Sequence, residues 1–181
     1  MVVLIPVPLF QYIFNWTIVD SSGLINVLNE LLEIEDVEII LKFHPRHGRV
    51  EYFDRIFDLS KFDVRVEDNF LDILNESDVV VAFESSSVLI DTILSSKPLI
   101  YISDYMEQFK DEYVYERLTS NLKCLEMKEL ADTLKALVIN EEDLKDFLPK
   151  MNIEDILYST GDVSGMRLAK EIDRVLKEPG Y

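Results

Sequence analysis

Residues Asp78–Ile102 read DVVVAFESSSVLIDTILSSKPLIYI, and this stretch decides the fold. The apolar runs Val79–Phe83 and Leu99–Ile102 are typical of strands that are buried on both faces of a parallel sheet. A polar turn and the helical pattern Val88–Leu94 lie between them. Strand, turn, helix and strand in this order predict two parallel strands connected by a helix.

The rest of the chain continues this alternation. Further strands are predicted at Val2–Val7, Val37–Phe43, Val64–Val66 and, as an edge strand, Leu122–Met127. Helices are predicted at Gly23–Ile34, Tyr52–Leu59, Asn69–Asn75, Lys128–Ile139, Glu141–Leu148 and Val163–Leu176. The predicted fold class is therefore α/β: a Rossmann-like, open parallel sheet of about six strands, with right-handed crossovers and helices on both faces. Because no linker interrupts the chain, we expect one domain over residues 1–181.

Composition and charge exclude several classes of function. The formal net charge of −17 argues against binding to long nucleic acids, which requires clustered Lys and Arg, but not against binding of a mononucleotide. No stretch approaches the roughly 20 apolar residues of a membrane span, and the apolar start of the chain lacks the basic region of a signal peptide. The single cysteine, Cys124, excludes an internal disulfide and fits the cytoplasm. Its apolar neighbours predict a buried structural thiol.

The turn that begins at Glu84 is the first candidate for a binding site. It follows a predicted strand at its carboxyl end, which is where ligands bind in open α/β sheets. A helix that begins within Ser85, Ser86 and Ser87 would offer unpaired N–H groups and the positive end of its dipole to a phosphate. One serine alone would be explained as an N-cap. Three in a row favour a phosphate site.

The second candidate is the basic segment His44-Pro45-Arg46-His47-Gly48-Arg49, which follows another predicted strand. Imidazole and guanidinium groups donate hydrogen bonds to phosphoryl oxygens. Because the ends of different strands converge on one crevice in this fold class, we expect His44 and Arg46 to face the same ligand as the serines. The alternative is a surface loop in which the arginines pair with nearby carboxylates, and this alternative is favoured for Arg49.

Motifs for other chemistries are absent from the sequence. His44 and His47 have no carboxylate or thiolate at metal-ligand spacing, so no metal ion is predicted. The chain has neither a Walker P-loop nor a GxGxxG motif. The segment around Ser85 lacks the glycines of a nucleophile elbow. The sequence therefore predicts a site that works without a metal ion or cofactor.

These motifs together resemble the carboxyl-terminal, nucleotide-binding half of GT-B fold glycosyltransferases. The similarity is to bacterial enzymes that use CMP- or CDP-activated donors, namely polyglycerol-phosphate transferases, capsule transferases and sialyltransferases. The match rests on His44-Pro45, then Glu84-Ser85-Ser86-Ser87, then Lys97-Pro98 before a strand. The resemblance implies that His44, in a catalytic role, and the serines contact the phosphates of the donor.

The chain also resembles UDP-N-acetylglucosamine 2-epimerases, which share this half-fold. Their pattern of an acid, Ser, Gly, Gly and a further acid places Ser86 and Ser87 on the glycines. It places Asp91 on the acid that binds the ribose hydroxyls. The alternative for Asp91 is a solvent-facing helix residue. Because the two glycines are missing, the transferase resemblance is the stronger one.

Three functions are open at this stage. The resemblance implies the donor-binding half of a glycosyl- or glycerophosphoryl-transferase in cell-surface polysaccharide synthesis, with a nucleotide or nucleotide-sugar as ligand. The alternatives are a non-catalytic nucleotide-binding module, epimerase-like or not, and a plain interaction domain. Enzymes of the resembled family have two similar half-domains, and this chain has room for one. We therefore expect transfer to need a separate acceptor-binding domain or subunit.

Overall fold

The computed structural model describes residues 1–7, 21–43, 50, 54, 58–83, 87–102 and 122–150, with only the backbone of residues 21–23 and 87. Six strands form one sheet: β1 (Val2–Pro6), β2 (Glu38–Lys42), β3 (Asp63–Arg65), β4 (Val79–Ala82), β5 (Leu99–Ile102) and β6 (Lys123–Leu125). All neighbouring strands pair in parallel, in the order β3-β2-β1-β4-β5-β6. This is the order of the doubly wound Rossmann sheet, so the predicted fold class is confirmed.

The α-helices of the described residues lie on both faces of this sheet. They are α1 (Ser21–Leu32), α2 (Phe70–Glu76), α3 (Ser87–Leu94) and α4 (Leu130–Ile139), and short 3-10 helices cover Leu59–Lys61, Met127–Glu129 and Glu141–Phe147. Helices α1 and α4 belong to the core on one face, and α2 and α3 to the core on the other. The chain steps in one direction from β1 to β2 and in the opposite direction from β4 to β5. Crossovers of a single hand then require α1 and α3 to be on opposite faces, as observed.

The two cores explain why β1 and β4, the two strands at the centre of the sheet, are apolar at every position. In β1, Val3 and Ile5 pack under α1 and α4, whereas Leu4 packs under α2 and α3. None of the three is more than 1% exposed. A strand that is covered on both faces has no solvent-facing position, so its sequence is an apolar run and not an alternation.

The predicted bounds agree with the structure to within one residue for β1 to β5. The edge strand is shorter than predicted, and α1 begins at Ser21 instead of Gly23 and ends at Leu32 instead of Ile34. The segment predicted as the helix Glu141–Leu148 is a 3-10 helix. Most of the predicted helix Tyr52–Leu59 and all of the predicted helix Val163–Leu176 lie outside the described residues.

The edge strand β6 corrects one prediction. Cys124 was expected to be buried, and this expectation is wrong, because the residue is exposed. Strand β6 is the last in the order of the described sheet, so it is covered less than a central strand and an apolar run there does not imply burial. The Cys124 thiol donates to Leu122 O at 3.7 Å, and partial desolvation raises the pKa of the thiol.

The amino edge of the sheet is tied together by hydrogen bonds. Asp78 Oδ2 accepts from the Val2 N–H at 2.7 Å, and the Asp78 N–H donates to Val2 O at 2.9 Å, which joins the starts of β1 and β4. The Lys97 ammonium donates to Ser77 O at 2.7 Å and to Asn75 O at 3.2 Å. These two carbonyl groups are at the end of α2, where the helix dipole favours a cation.

Candidate functional site

The central strands end level with one another at the carboxyl edge. The pairing of β1 with β2 ends with Pro6 opposite Lys42, and the pairing of β1 with β4 covers Val3 and Leu4 opposite Val79 and Val80. Continued along the strands, this register puts Val7 in one row with Phe43, which follows β2, and with Phe83, which follows β4. The Val7 N–H donates to Lys42 O at 2.9 Å, so the pairing of β1 with β2 reaches this row. Neighbouring strands are about 4.8 Å apart, which separates the Cα atoms of Phe43 and Phe83 by about 10 Å. We call these three residues the carboxyl-edge row.

The gap between β1 and β4 is the topological switch point of the sheet. From β1 the chain continues to β2 on one side, and from β4 it continues to β5 on the other. In open α/β sheets the ligand crevice is at such a point, outside the carboxyl ends of the strands. Segments 8–20 and 84–86 continue the sequence from the two strands that border this gap. The described end of β4, from which the sequence continues into the serines, is therefore at the edge where this fold class binds its ligands.

Most of the predicted site residues lie outside the described residues, namely His44, Arg46, Glu84, Ser85 and Ser86. The backbone of Ser87 is described, and it is the first residue of α3. A helix thus begins within the serine run, directly beyond the carboxyl-edge row. The contacts that these side chains make with a ligand stay a prediction.

Asp91 lies on α3, four residues after Ser87, which corresponds to about 6 Å along the helix axis. The helix packs Leu89, Thr92 and Ile93 against the sheet, and all three are buried. Asp91 is only partly buried, so solvent or a ligand can reach its carboxylate. Its proposed contact with ribose hydroxyls stays a prediction.

The Lys97-Pro98 pair, which contributes to the resemblance, is at the amino edge of the sheet, whereas the candidate crevice is at the carboxyl edge. It precedes β5, and its ammonium is bound to the carbonyl groups of Ser77 and Asn75. A structural role at the end of α2 accounts for this lysine. The pair therefore supports the fold and does not extend the candidate site.

Sequence analysis missed Lys42, a buried lysine at the end of β2. It is 8% exposed. Its ammonium donates to Phe43 O at 2.9 Å and makes a short hydrogen bond to Val66 O. Burial lowers the pKa of Lys42, while the charges of Asp68 and Glu67 act in the opposite direction. The available signal was a lysine directly after the apolar run Ile39–Leu41 of β2.

Arg65, a second cation near the end of β3, is already engaged by carboxylates. Its Nε and Nη2 atoms are each 2.7 Å from an oxygen of Asp63, and Nη1 is 3.4 Å from Asp68. Hydrogen bonding to Asp63 is the main reason why the pKa of Arg65 is raised. This bidentate pair makes Arg65 a poor candidate for binding an anionic ligand.

Over the described ranges, no three side chains among His, Cys, Asp and Glu are grouped so that they could hold a metal ion. Both histidines of the sequence are outside those ranges. None of the helices in the same part of the chain is both long and apolar enough to cross a membrane.

The strand order, the parallel pairing and the switch point define a Rossmann-like α/β domain. No family model and no curated protein matches the chain. Similar solved structures include the spinosyn rhamnosyltransferase SpnG, with 18% identity, a TM-score of 0.47 and coverage of 95% of this chain and 41% of that one. A variant of the wall teichoic acid polymerase TagF soaked with CDPG has 17% identity, a TM-score of 0.49 and coverage of 98% and 42%.

MurG of Acinetobacter baumannii is also similar, with 10% identity, a TM-score of 0.45 and coverage of 95% of this chain and 49% of that one. The chain thus spans less than half the length of each of these three structures. At 10–18% identity the similarity concerns the fold alone.

Proposed function

We propose that the chain binds a nucleotide or nucleotide-sugar at the carboxyl edge of its sheet, as the donor-binding half of a glycosyl- or glycerophosphoryl-transferase. One observation carries this proposal: β1, β2 and β4 end level with one another around the switch point. The sequence places His44 directly after the row at β2, and it places Glu84 and then the three serines after the row at β4. Two groups that can bind phosphate therefore leave the same edge about 10 Å apart.

The start of α3 supports a phosphate at this position. The first N–H groups of a helix have no acceptor within the helix, and its dipole is positive at this end. With a net charge of −17, the field of the whole protein repels a nucleotide. Binding then depends on donors concentrated at one place, which the helix start, His44 and Arg46 would supply.

The same groups would serve group transfer. When the bond between the transferred group and the nucleotide breaks, negative charge develops on the phosphate oxygen that leaves. Donors fixed in advance around that oxygen stabilise this charge without a metal ion. Asp91 would accept hydrogen bonds from the ribose hydroxyls. The acceptor would come from a second domain or subunit. We therefore expect this chain alone to bind donors without turning them over. The proposed location is the cytoplasm, where nucleotide-sugars are made.

Titration calorimetry with CMP, CDP, UDP and the matching nucleosides tests the proposal. Replacing Ser86 and Ser87 together with leucine should abolish binding of the nucleotides while the circular dichroism spectrum is unchanged. Ser95→Leu is the matched control, because Ser95 is an exposed serine at the amino edge. Unchanged nucleotide affinity in the double variant would contradict the phosphate site.

Two single substitutions distinguish contacts to the phosphate from contacts to the ribose. His44→Ala should weaken nucleotides but not nucleosides, and an equal loss for both would indicate a role in folding. Asp91→Asn should weaken ribonucleotides more than deoxyribonucleotides, and an equal effect would remove Asp91 from the site. Turnover of a donor by this chain alone would reject a non-catalytic module, and no nucleotide binding at millimolar concentration would favour an interaction domain.

A further inference from the structure

We propose that Lys42 is a positioning residue that fixes the direction in which the chain leaves β2 toward His44. This inference rests on the proposed nucleotide site. Lys42 is 92% buried at the end of β2, as its 8% exposure shows. Its ammonium lies at the carboxyl edge of the sheet, where it donates to Phe43 O and Val66 O.

The bond from Lys42 to Phe43 O, 2.9 Å long, acts on the peptide group that carries His44. The carbonyl group of Phe43 and the backbone nitrogen of His44 belong to one planar unit. Fixing the carbonyl oxygen therefore fixes the plane from which the histidine starts. A rotation of that plane would redirect the imidazole relative to the start of α3.

The second bond extends the connection between β2 and β3 beyond their ladder. The paired residues of the two strands end with Lys42 opposite Arg65, and the Phe43 N–H donates to Arg65 O at 2.9 Å. Beyond this point the Lys42 ammonium joins the two chains by contacting Phe43 O and Val66 O together. The ammonium thus holds the chain at the row where the two strands stop pairing.

The cost of burying the Lys42 ammonium group favours a role for its two hydrogen bonds. Ile40, two residues earlier on the same face of β2, is 2% exposed and fills its position with an apolar side chain. An apolar residue at position 42 would avoid the cost of burying an ammonium group. The carboxylates of Asp68 and Glu67 offset part of this cost. The two hydrogen bonds to Phe43 O and Val66 O account for a buried lysine at this position.

A double-mutant cycle with Lys42→Met and His44→Ala tests the inference, with the affinities for CDP and cytidine measured by titration calorimetry. Lys42→Met should lower the affinity for CDP by about 2- to 160-fold, the range of couplings within one hydrogen-bond network. Its affinity for cytidine should be unchanged. In the His44→Ala background Lys42→Met should cause no further loss for CDP, because the histidine that it positions is absent.

Ile40→Val is the matched control, since it perturbs the same face of the same strand without touching either carbonyl group. It should lower the melting temperature and leave the affinity for CDP within about twofold of wild type. An equal loss of CDP affinity in Ile40→Val would show that Lys42 affects binding only through general stability, and it would overturn the inference. Losses that add in the double variant would overturn it as well.

If Lys42→Met does not fold, Lys42→Gln supplies the test, because glutamine is polar but too short to reach both carbonyl groups. The same criteria apply to it: a loss for CDP and not for cytidine, and no further loss in the His44→Ala background. A wild-type chain that binds none of CMP, CDP and UDP would overturn the proposed function and this inference with it, and a chain that binds UDP instead of CDP is put through the same cycle with UDP and uridine. CDP binding with additive losses would overturn only the role of Lys42.

Discussion

Lys97→Met tests the assignment of Lys97 to folding and not to ligand binding. The Lys97 ammonium donates to Ser77 O at 2.7 Å and to Asn75 O at 3.2 Å, at the end of α2. Methionine keeps most of the apolar part of the side chain but removes all of its donors. The substitution therefore removes both bonds and the favourable interaction of a cation with the helix dipole.

The size of the effect follows from this geometry. Hydrogen bonds to charged groups contribute about 1.5–3 kcal/mol when they are shielded from water, and the bond of 3.2 Å is at the long end of the normal range. Lys97 is only partly buried, so water replaces part of what is lost. After this discount we expect the free energy of unfolding to fall by about 1–2 kcal/mol. For a domain of this size the melting temperature should fall by about 2–8 °C.

Urea unfolding followed by circular dichroism measures this loss, and calorimetry with CDP measures the ligand affinity of the same samples. Lys135→Met is the control, because the Lys135 side chain is 52% exposed and its ion pair with Asp132 is 3.7 Å long. It should change the free energy of unfolding by less than about 0.5 kcal/mol. Unchanged stability of Lys97→Met, or a fully stable variant that has lost CDP affinity, would refute the structural assignment.

Three further predictions concern the core, a helix cap and pH. Leu134→Ala should lower the free energy of unfolding in urea by about 2–5 kcal/mol, because Leu134 is fully buried on α4. Ile139→Ala on the same helix should lower it by less than about 0.5 kcal/mol, because Ile139 is 86% exposed. Equal losses would contradict the packing of α4. Asn69→Ala should cost about 1 kcal/mol, because the Asn69 side chain accepts from the Leu71 N–H at 2.9 Å, and Asn69→Asp should retain that stability. The folded-state pKa of Lys42 is below its ordinary value of 10.5, so the unfolded chain binds more protons between the two values and wild-type stability should rise through that window. Lys42→Met should lack this rise, and a constant stability difference between the two proteins from neutral pH to 10.5 would contradict it.

Strands β1, β4 and β5 could be predicted from the sequence because burial on both faces leaves them without a charged position. The run at Leu99–Ile102 is the clearest case, since the strand has the predicted bounds. Strand β3 lies one residue earlier than predicted because it is an edge strand that includes two charged residues, Asp63 and Arg65. These residues are two apart and therefore share a face, where they form an ion pair instead of packing in a core. Apolar content alone does not reveal such a strand.

The candidate site could be predicted only as far as the topology fixes it. Parallel strands bring the segments after β2 and β4 to one edge, and the register brings them to one level. The directions of the side chains of His44 and Ser86 depend on backbone angles that no hydrophobic period specifies. Lys42 was missed because a long side chain can hide its charge among carbonyl groups at the end of an apolar strand.

The connections at the two edges of the sheet differ in a way that matters for engineering. At the amino edge, residues 77–78 join α2 to β4 and residues 95–98 join α3 to β5, and Asp78 and Lys97 pin these joints to neighbouring backbone. At the carboxyl edge, residues 7–20 join β1 to α1, and residues 83–86 join β4 to α3. In the function proposed here, the segments after β2 and β4 recognise the ligand, whereas the joints at the amino edge stabilise the fold. Segments grafted onto the carboxyl edge from another domain of this type should change ligand choice while the framework is preserved.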